Sequence, residues 1–172
     1  MSKIQIRSAT IYDAAPLSTL ATTVFCDTYG AVIPSDVLQE YIENAFSVEA
    51  LRVDLSHPST KYVVACHNET LIGFSKLAPT DVPSGVCSTR AIELVKLYVA
   101  KGYHGLGVGA ALMERTICEA KALRYDGIWL CVWKNNERAI AFYRKWGFEM
   151  VGTTQIFVGH IVFDDLVLER KR

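Results

Sequence analysis

Hydrophobic residues at the start of the chain follow first the spacing of a strand and then the spacing of helices. Isoleucines alternate with polar neighbours over residues 4–6, which predicts a short strand. Hydrophobic residues then recur every three or four positions in three successive stretches, which predicts three helices. Asp13, Ser35 or Asp36, and Ser47 stand where they can cap the starts of these helices. The three stripes are Leu17, Leu20 and Val24; Val37, Tyr41 and Ala45; and Leu51 and Leu55.

A hairpin and a loop follow the helical region. Residues 62–66 and 71–77 are rich in branched and aromatic side chains and are predicted as two strands, with a turn at 67–69. Residues 79–90 contain Pro79, Pro83, Ser84 and Gly85, which predicts a loop. A loop of that length in a compact domain is often functional.

The second half of the chain alternates strands with helices. A glycine cluster separates the first of these strands from a helix that carries Leu112 and Ile117, and Gly147 ends the second helix. The predicted strands are 91–100, 128–133, 149–158 and 161–169, and the second helix is 136–146. The order β, helices, βββ, α, β, α, ββ predicts a mixed α/β sheet in one domain that covers residues 1–172.

Composition excludes several classes of protein. The 172 residues are 51% hydrophobic and 21% charged, which argues against intrinsic disorder. Eighteen basic and eighteen acidic side chains cancel, so no net charge attracts nucleic acid or a membrane surface. No hydrophobic run reaches the ~20 residues of a membrane helix, and the N-terminus lacks the pattern of a secretory signal. We therefore expect a cytoplasmic monomer or homodimer without nucleic-acid or membrane partners.

The five cysteines give no sign of a metal site. They are widely spaced and form no CxxC pair, which disfavours a zinc site and a disulfide framework. Reduced thiols are the expectation, and no metal is predicted.

Charge is divided unevenly between the two halves. Residues 1–86 hold five basic against nine acidic side chains, a net charge of −4, and residues 87–172 hold thirteen against nine, a net charge of +4. The most acidic stretch, 27–54, contains six carboxylates and one arginine. Such a stretch is usually the solvated face of helices, but it is also a candidate surface for attracting a cation.

Three glycines within five residues lie between a predicted strand and a predicted helix. Glycines at such a junction let backbone amides approach a ligand closely and adopt positive φ. The free N–H groups of the following helix point at the same place, with the positive end of the helix dipole behind them. The segment, which we call the glycine loop, therefore predicts a phosphate-binding site. It comprises His104, Gly105, Leu106, Gly107, Val108, Gly109 and Ala110.

The glycine loop also fits the dinucleotide pattern GxGxxA. That interpretation requires an acidic residue at the end of the next strand, but this strand ends at Trp133 and Lys134. Too few residues follow the loop to complete a doubly wound sheet. A P-loop is excluded because no GKS or GKT follows.

A second motif lies in the helix predicted at 136–146. Asn136, Ala139 and Tyr143 fall at i, i+3 and i+7, on one helix face. A polar, a small and a phenolic side chain suit a ligand lying along the helix better than they suit a hydrophobic core.

Together the two motifs resemble the GNAT (Gcn5-related N-acetyltransferase) superfamily. The shared features are a strand like Leu97-Tyr98-Val99, a glycine loop of the form Q/R-x-x-G-x-G/A, and N-x-x-A-x-x-F-Y-x-x-x-G-F. Residues 93–99, 104–107 and 129–148 are most similar to the PaiA-type polyamine acetyltransferases. The resemblance implies a mostly antiparallel sheet with helices on both faces and two splayed central strands. It also implies an acetyl-CoA-dependent N-acetyltransferase, an acyltransferase.

The resemblance assigns the acetyl-CoA site. Backbone groups of Leu97, Tyr98 and Val99 are expected along the pantetheine arm, and the glycine loop, His104 through Ala110, at the pyrophosphate. His104 departs from the usual Gln or Arg, and a neutral histidine weakens charge pairing there. Asn136, Ala139 and Tyr143 complete the expected cofactor contacts. Arg144 and Lys145 are candidates for the adenosine 3′-phosphate, but a solvated helix face is the favoured interpretation of both.

The chemistry requires a base, an oxyanion donor and an acid. A primary amine has a pKa near 10.4 and must lose a proton before it attacks. Glu93, directly or through water, is the expected base, the Leu97 or Tyr98 amide the oxyanion donor, and Tyr143 the general acid. We expect direct transfer in a ternary complex. Cys131 is the rival nucleophile, but no Cys-His pair surrounds it.

The acceptor is a small-molecule amine in this interpretation, and the acidic stretch favours a polyamine such as spermidine. Asp36 and Glu40 are the expected substrate residues, because carboxylates facing a cleft attract a polycation. Two alternatives stay open. One is acetylation of peptide N-termini or lysines, and the other is a non-catalytic acetyl-CoA-binding module.

Overall fold

Residues 4–171 are described by a computed structural model of the protein. Five α-helices and seven strands account for most of these residues. The strands are β1 Gln5–Ser8, β2 Lys61–His67, β3 Thr70–Ala78, β4 Ala91–Val99, β5 Gly127–Trp133, β6 Glu149–Val158 and β7 Ile161–Lys171. The helices are α1 Ala14–Tyr29, α2 Ser35–Phe46, α3 Val48–Ser56, α4 Val108–Ala122 and α5 Glu137–Lys145. The predicted order of elements is confirmed, and 79–90 is a loop.

The strands form one sheet in the order β1-β2-β3-β4-β5-β7-β6. Every neighbouring pair is antiparallel except β4 and β5, which run parallel. Their pairing covers only Ala91–Glu93 against Gly127–Trp129. Beyond it the two strands diverge, so the edge of β4 that faces β5 has no strand partner over residues 94–99. The expected mostly antiparallel sheet with splayed central strands is confirmed.

Helices cover both faces of this sheet, as expected. One hydrophobic cluster joins α1, α2 and α3 to residues such as Val64 and Phe74. On the other face, Val63 and Ala65 pack with Val108 and Leu112 of α4, and α5 joins the neighbouring cluster. We call the two faces the α1 face and the α4 face. Consecutive residues of a strand point to opposite faces, which is why Val63 and Val64 reach different helices.

A β-bulge in β4 resets which side chains meet the α1 face. Lys76 of β3 pairs with Lys96, but the next residue, Leu77, pairs with Leu94, so Val95 is the extra residue. Ile92 and Leu94 pack on the α4 face before the bulge, which places Glu93 on the α1 face. After the bulge Lys96 and Tyr98 lie on the α1 face, where Lys96 contacts Tyr41 and Tyr98 packs with Phe74.

Two of the predicted helix caps differ from the structure. The Asp13 carboxylate does not cap α1; it accepts hydrogen bonds from the Arg7 guanidinium at 2.7 and 2.8 Å and from the Thr10 amide at 2.7 Å. Helix α2 begins at Ser35 itself, after Pro34, without a side-chain cap from Ser35 or Asp36. Ser47 does cap α3, through the Ala50 amide.

Candidate active site

A cleft of about 580 Å³ opens between the diverging parts of β4 and β5. Its volume lies within the range typical of small-molecule and cofactor sites. The end of α1, the unpaired edge of β4, the glycine loop and one face of α5 form its walls. The splay therefore exposes backbone groups that an ordinary sheet would use for pairing.

The glycine loop has the backbone shape of a phosphate cradle. Gly105 and Gly107 have φ of +79° and +80°, values that favour glycine, and a Cβ at either position would meet no atom within 4 Å. Both line the cleft together with Gly109 and Ala110. The Leu106 side chain is exposed and that of Val108 is buried, and neither residue is among those that line the cleft. The free amides at the start of α4 complete an anion site.

His104 makes a hydrogen bond through each of its two ring nitrogens. Arg138 donates to its Nδ1 at 2.8 Å, and its Nε2 lies 2.8 Å from the Val99 carbonyl oxygen. A guanidinium can only donate and a carbonyl can only accept, so Nδ1 is the acceptor and Nε2 the donor in this arrangement. Arg138 also lines the cleft. Arg138 of α5 thus brings a positive charge to the wall of the cleft beside His104.

Helix α5 presents Asn136, Ala139 and Tyr143 to the cleft, together with Phe142. Asn136 Oδ1 accepts a hydrogen bond from the Ala139 amide at 3.2 Å and so caps the helix. Its side-chain NH₂ group remains as a donor toward a ligand. The predicted helical face is thus a wall of the cleft.

Leu97, Tyr98 and Val99 line the opposite wall. Their unpaired backbone edge can accept an extended ligand as an added strand. The Tyr98 hydroxyl lies near those of Tyr29 and Tyr143, and burial raises the pKa of all three phenols above the usual 10. Each phenol therefore stays protonated at neutral pH and can donate a proton or a hydrogen bond.

Glu93 lies beside the cleft rather than in its lining. Its carboxylate accepts a hydrogen bond from the Thr80 hydroxyl at 2.7 Å. Burial raises its pKa, and the Thr80 hydrogen bond, Lys96 and Lys76 partly oppose this. Cys131 lines the cleft and is close enough to Glu93 to feel its charge.

The Cys131 thiol is in an environment that keeps it protonated. Burial first, and then the charges of Glu93 and Asp165, raise its pKa from about 9 to about 12. A nucleophilic cysteine needs a lowered pKa or an adjacent base. Its surroundings here do the opposite.

The two expected substrate residues lie away from the other site residues. Asp36 and Glu40 are exposed on α2, outside the cleft lining, whereas Asp27 of the same acidic stretch lines it. Arg144 and Lys145 are exposed and likewise lie outside the lining.

Sequence reasoning missed several residues that line the cleft. Among them are Asp27, Tyr29, Lys96, Trp133 and Arg138. Only Arg138 carried a signal, as a basic residue two positions after Asn136 in the first turn of α5. Lys96 reaches the cleft because of the bulge in β4, and Asp27 and Tyr29 because the end of α1 forms one wall. Trp133 lies at the end of β5, on the same α1 face.

The part of the chain that the structure describes, 4–171, contains no helix long and apolar enough to span a membrane. Within the same residues no group of three or more His, Cys, Asp or Glu side chains could hold a metal ion.

Comparison with known proteins identifies relatives of this fold. The sequence model of the Acetyltransferase (GNAT) family matches residues 26–148. An uncharacterised N-acetyltransferase of Mycobacterium tuberculosis is 29% identical over 92% of this chain and 97% of its own length. The L-amino acid N-acetyltransferase AaaT of Escherichia coli K12 is 30% identical over 89% of this chain and 87% of its own. The crystal structure of PaiA N-acetyltransferase from Thermoplasma acidophilum in complex with coenzyme A has a TM-score of 0.82, with 24% identity and 99% coverage of both chains.

Proposed function

The chain belongs to the Acetyltransferase (GNAT) family and is an acetyl-CoA-dependent N-acetyltransferase, and we propose that its acceptor is a primary amine of a polyamine such as spermidine. The observation that carries the proposal is the chemistry of the α1 face beside the cleft. Asp27 lines the cleft there. The carboxylates of Glu93 and Asp165 lie close enough to Cys131, another lining residue, for their charges to raise the pKa of its thiol. Carboxylates among aromatic rings favour ammonium groups through charge and cation–π attraction.

The residues around the cleft fit acetyl-CoA. The left-handed turns at Gly105 and Gly107 leave open space above backbone amides, which suits a pyrophosphate. Arg138 supplies a cation beside that position. The unpaired edge of β4 and the Asn136 amide suit the polar groups of a pantetheine arm. Acetyl-CoA supplies the acetyl thioester, and residues of the protein accept and donate the protons of the reaction.

Glu93 is the proposed proton acceptor for the incoming amine. Its raised pKa brings it closer to the operating pH than an ordinary glutamate, which makes it a better general base. Because Glu93 does not line the cleft, we propose that one water relays the proton. The Leu97 or Tyr98 amide is the proposed donor to the developing oxyanion.

Tyr143 is the proposed acid for the leaving thiolate. It lines the cleft on the α5 wall, and burial keeps its phenol protonated. The raised pKa of Cys131 supports direct transfer to the amine, since a protonated thiol is a poor nucleophile. Asp36 and Glu40 are proposed to act only through long-range attraction of the acceptor, because both are exposed outside the cleft.

One observation favours a second acceptor class, the free amino acids. Lys96 lines the cleft on the α1 face, with its ammonium 3.1 Å from the Tyr41 hydroxyl and 5.2 Å from the centre of the Phe46 ring. An ammonium there can pair with an acceptor carboxylate. The AaaT relative acts on L-amino acids, as its name states.

Initial rates of CoA thiol release distinguish these acceptors. We expect turnover with spermidine and spermine that exceeds turnover with L-amino acids and lysine peptides, and its loss with Tyr143→Phe. Faster turnover with amino acids, abolished by Lys96→Met, would replace the polyamine with the second class. Turnover confined to peptides would contradict both.

A further inference from the structure

Asp165 is a buried carboxylate for which the described part of the protein supplies no hydrogen-bond partner. It is 8% exposed, and its Oδ1 is fully buried and unpaired. Two other acidic side chains are similarly buried, and both are satisfied: Asp13 by Arg7, and Glu169 by the amides of Cys87 and Ser88 and the Ser88 hydroxyl. A buried carboxylate without a donor is costly and calls for an explanation.

Asp165 lies on the α1 face, next to residues of the cleft. It pairs directly across the sheet with Trp133, and opposite residues of an antiparallel pair point to the same face. Its charge reaches the Cys131 thiol and the Tyr29 hydroxyl. All three of these neighbours line the cleft. Asp165 itself is not among the residues that line the cleft, but it lies next to three that do.

The surroundings of Asp165 select the charge of its ligand. Tyr29, Trp133 and Phe163 form an aromatic group around it, with ring centres 5.5 to 6.4 Å apart. In residues 4–171 no lysine or arginine forms an ion pair with Asp165, and the nearby Lys134 is paired with Asp164 instead. An anion among aromatic rings, without a cation of the protein's own, is a binding site for an ammonium group.

The position of Asp165 relative to Glu93 indicates which ammonium binds. Glu93 pairs with Trp129 and Asp165 with Trp133, so the two carboxylates are four residues apart along β5. That corresponds to about 13 Å at about 3.3 Å per residue. An extended triamine spans such a distance, whereas a short monoamine reaches only one end.

We propose that Asp165, among the rings of Tyr29 and Trp133, binds a second ammonium group of the acceptor, one that is not acetylated. This inference rests on the proposed polyamine acceptor and names the residue that selects it. Asp165 is a specificity residue here, not a participant in proton transfer.

The test compares spermidine with butylamine, which keeps a reacting amine and lacks the second cation. For Asp165→Asn we expect the ratio of kcat/KM for spermidine to kcat/KM for butylamine to fall about tenfold or more, with the KM for acetyl-CoA retained. Asp164→Asn is the matched control, since it removes a neighbouring charge that is exposed and paired with Lys134. An unchanged ratio in Asp165→Asn, or an equal fall in both variants, overturns the inference.

A binding measurement separates this inference from the proposed function. Calorimetric titration of spermidine into the CoA-bound protein needs no turnover. If the wild type acetylates no amine, the proposed function fails. Spermidine binding that is weakened in Asp165→Asn and kept in Asp164→Asn then still supports the site, whereas absent binding or equal binding by all three proteins overturns it.

Discussion

Replacing Asp165 with asparagine should stabilise the folded protein at neutral pH. Burial raises the pKa of this carboxyl from 3.8 to about 6, with the charge of Asp164 as a smaller cause. An acid with a raised folded-state pKa contributes its stability below the unfolded pKa and loses it as the pH rises through the folded pKa. The buried charge therefore lowers the free energy of unfolding of the wild type above about pH 6, whereas Asp165→Asn has no charge to bury.

The magnitude follows from the pKa itself. The folded value of about 6 exceeds the ordinary 3.8 by about 2, and each pKa unit corresponds to about 1.4 kcal/mol, so the penalty is at most about 3 kcal/mol. Solvent that reaches the remaining exposed surface of the residue screens part of it, which leaves about 1–2 kcal/mol. In a domain of this size that corresponds to a rise in Tm of roughly 2–8 °C.

Thermal unfolding between pH 4.5 and 8 tests this reasoning. We expect the Tm of Asp165→Asn to exceed that of the wild type by an amount that grows up to about pH 6 and is constant above it. Asp164→Asn, which removes an exposed carboxylate paired with Lys134, should show no such gain. A difference in Tm that is absent, or that does not change with pH, would refute the picture of a charged and unpartnered side chain.

Four further substitutions probe the cleft. Gly107→Ala should weaken acetyl-CoA binding by about 1–2 kcal/mol in a titration, because φ of +80° strains alanine, while Gly102→Ala, which lies outside the cleft lining and whose Cβ would meet no atom within 4 Å, should bind as the wild type does. Tyr143→Phe should lower kcat about 10²–10³-fold with a similar KM for acetyl-CoA, and an unchanged kcat would remove Tyr143 as the acid. Cys131→Ser should keep turnover, and its loss with intact acetyl-CoA binding would point to an acyl-enzyme. In the pH–rate profile, the rate of the wild type should fall at low pH as Glu93 is protonated, and the fall should begin at a higher pH than for an ordinary glutamate because the pKa of Glu93 is raised. Glu93→Gln should lose this fall at low pH, and its persistence would assign the base to another residue.

The elements and the cofactor side of the cleft could be predicted from sequence because their signals are local. Glycines with positive φ, and a polar, small and phenolic face on α5, belong to short segments whose geometry follows from residue type. The resemblance to GNAT proteins added the splay between β4 and β5, which no local pattern encodes.

The acceptor side could not be predicted because it depends on packing between distant segments. The bulge at Val95 decides that Lys96 faces α2, and pairing with β3 fixes that bulge. The acidic stretch predicts helices but not their rotation, so Asp36 and Glu40 fell outside the cleft and Asp27 inside it. Asp165 did carry a signal, as an acidic residue at a buried position of an alternating strand.

A competition assay with one product measurement tests the central claim most directly. Acetyl-CoA is incubated with the protein and an equimolar mixture of spermidine, L-amino acids and a lysine peptide, and acetylated products are identified by mass spectrometry. The account predicts acetylspermidine as the main product, formed in proportion to the CoA released. Acetylated amino acids or peptide as the main product, with spermidine unmodified, would contradict it.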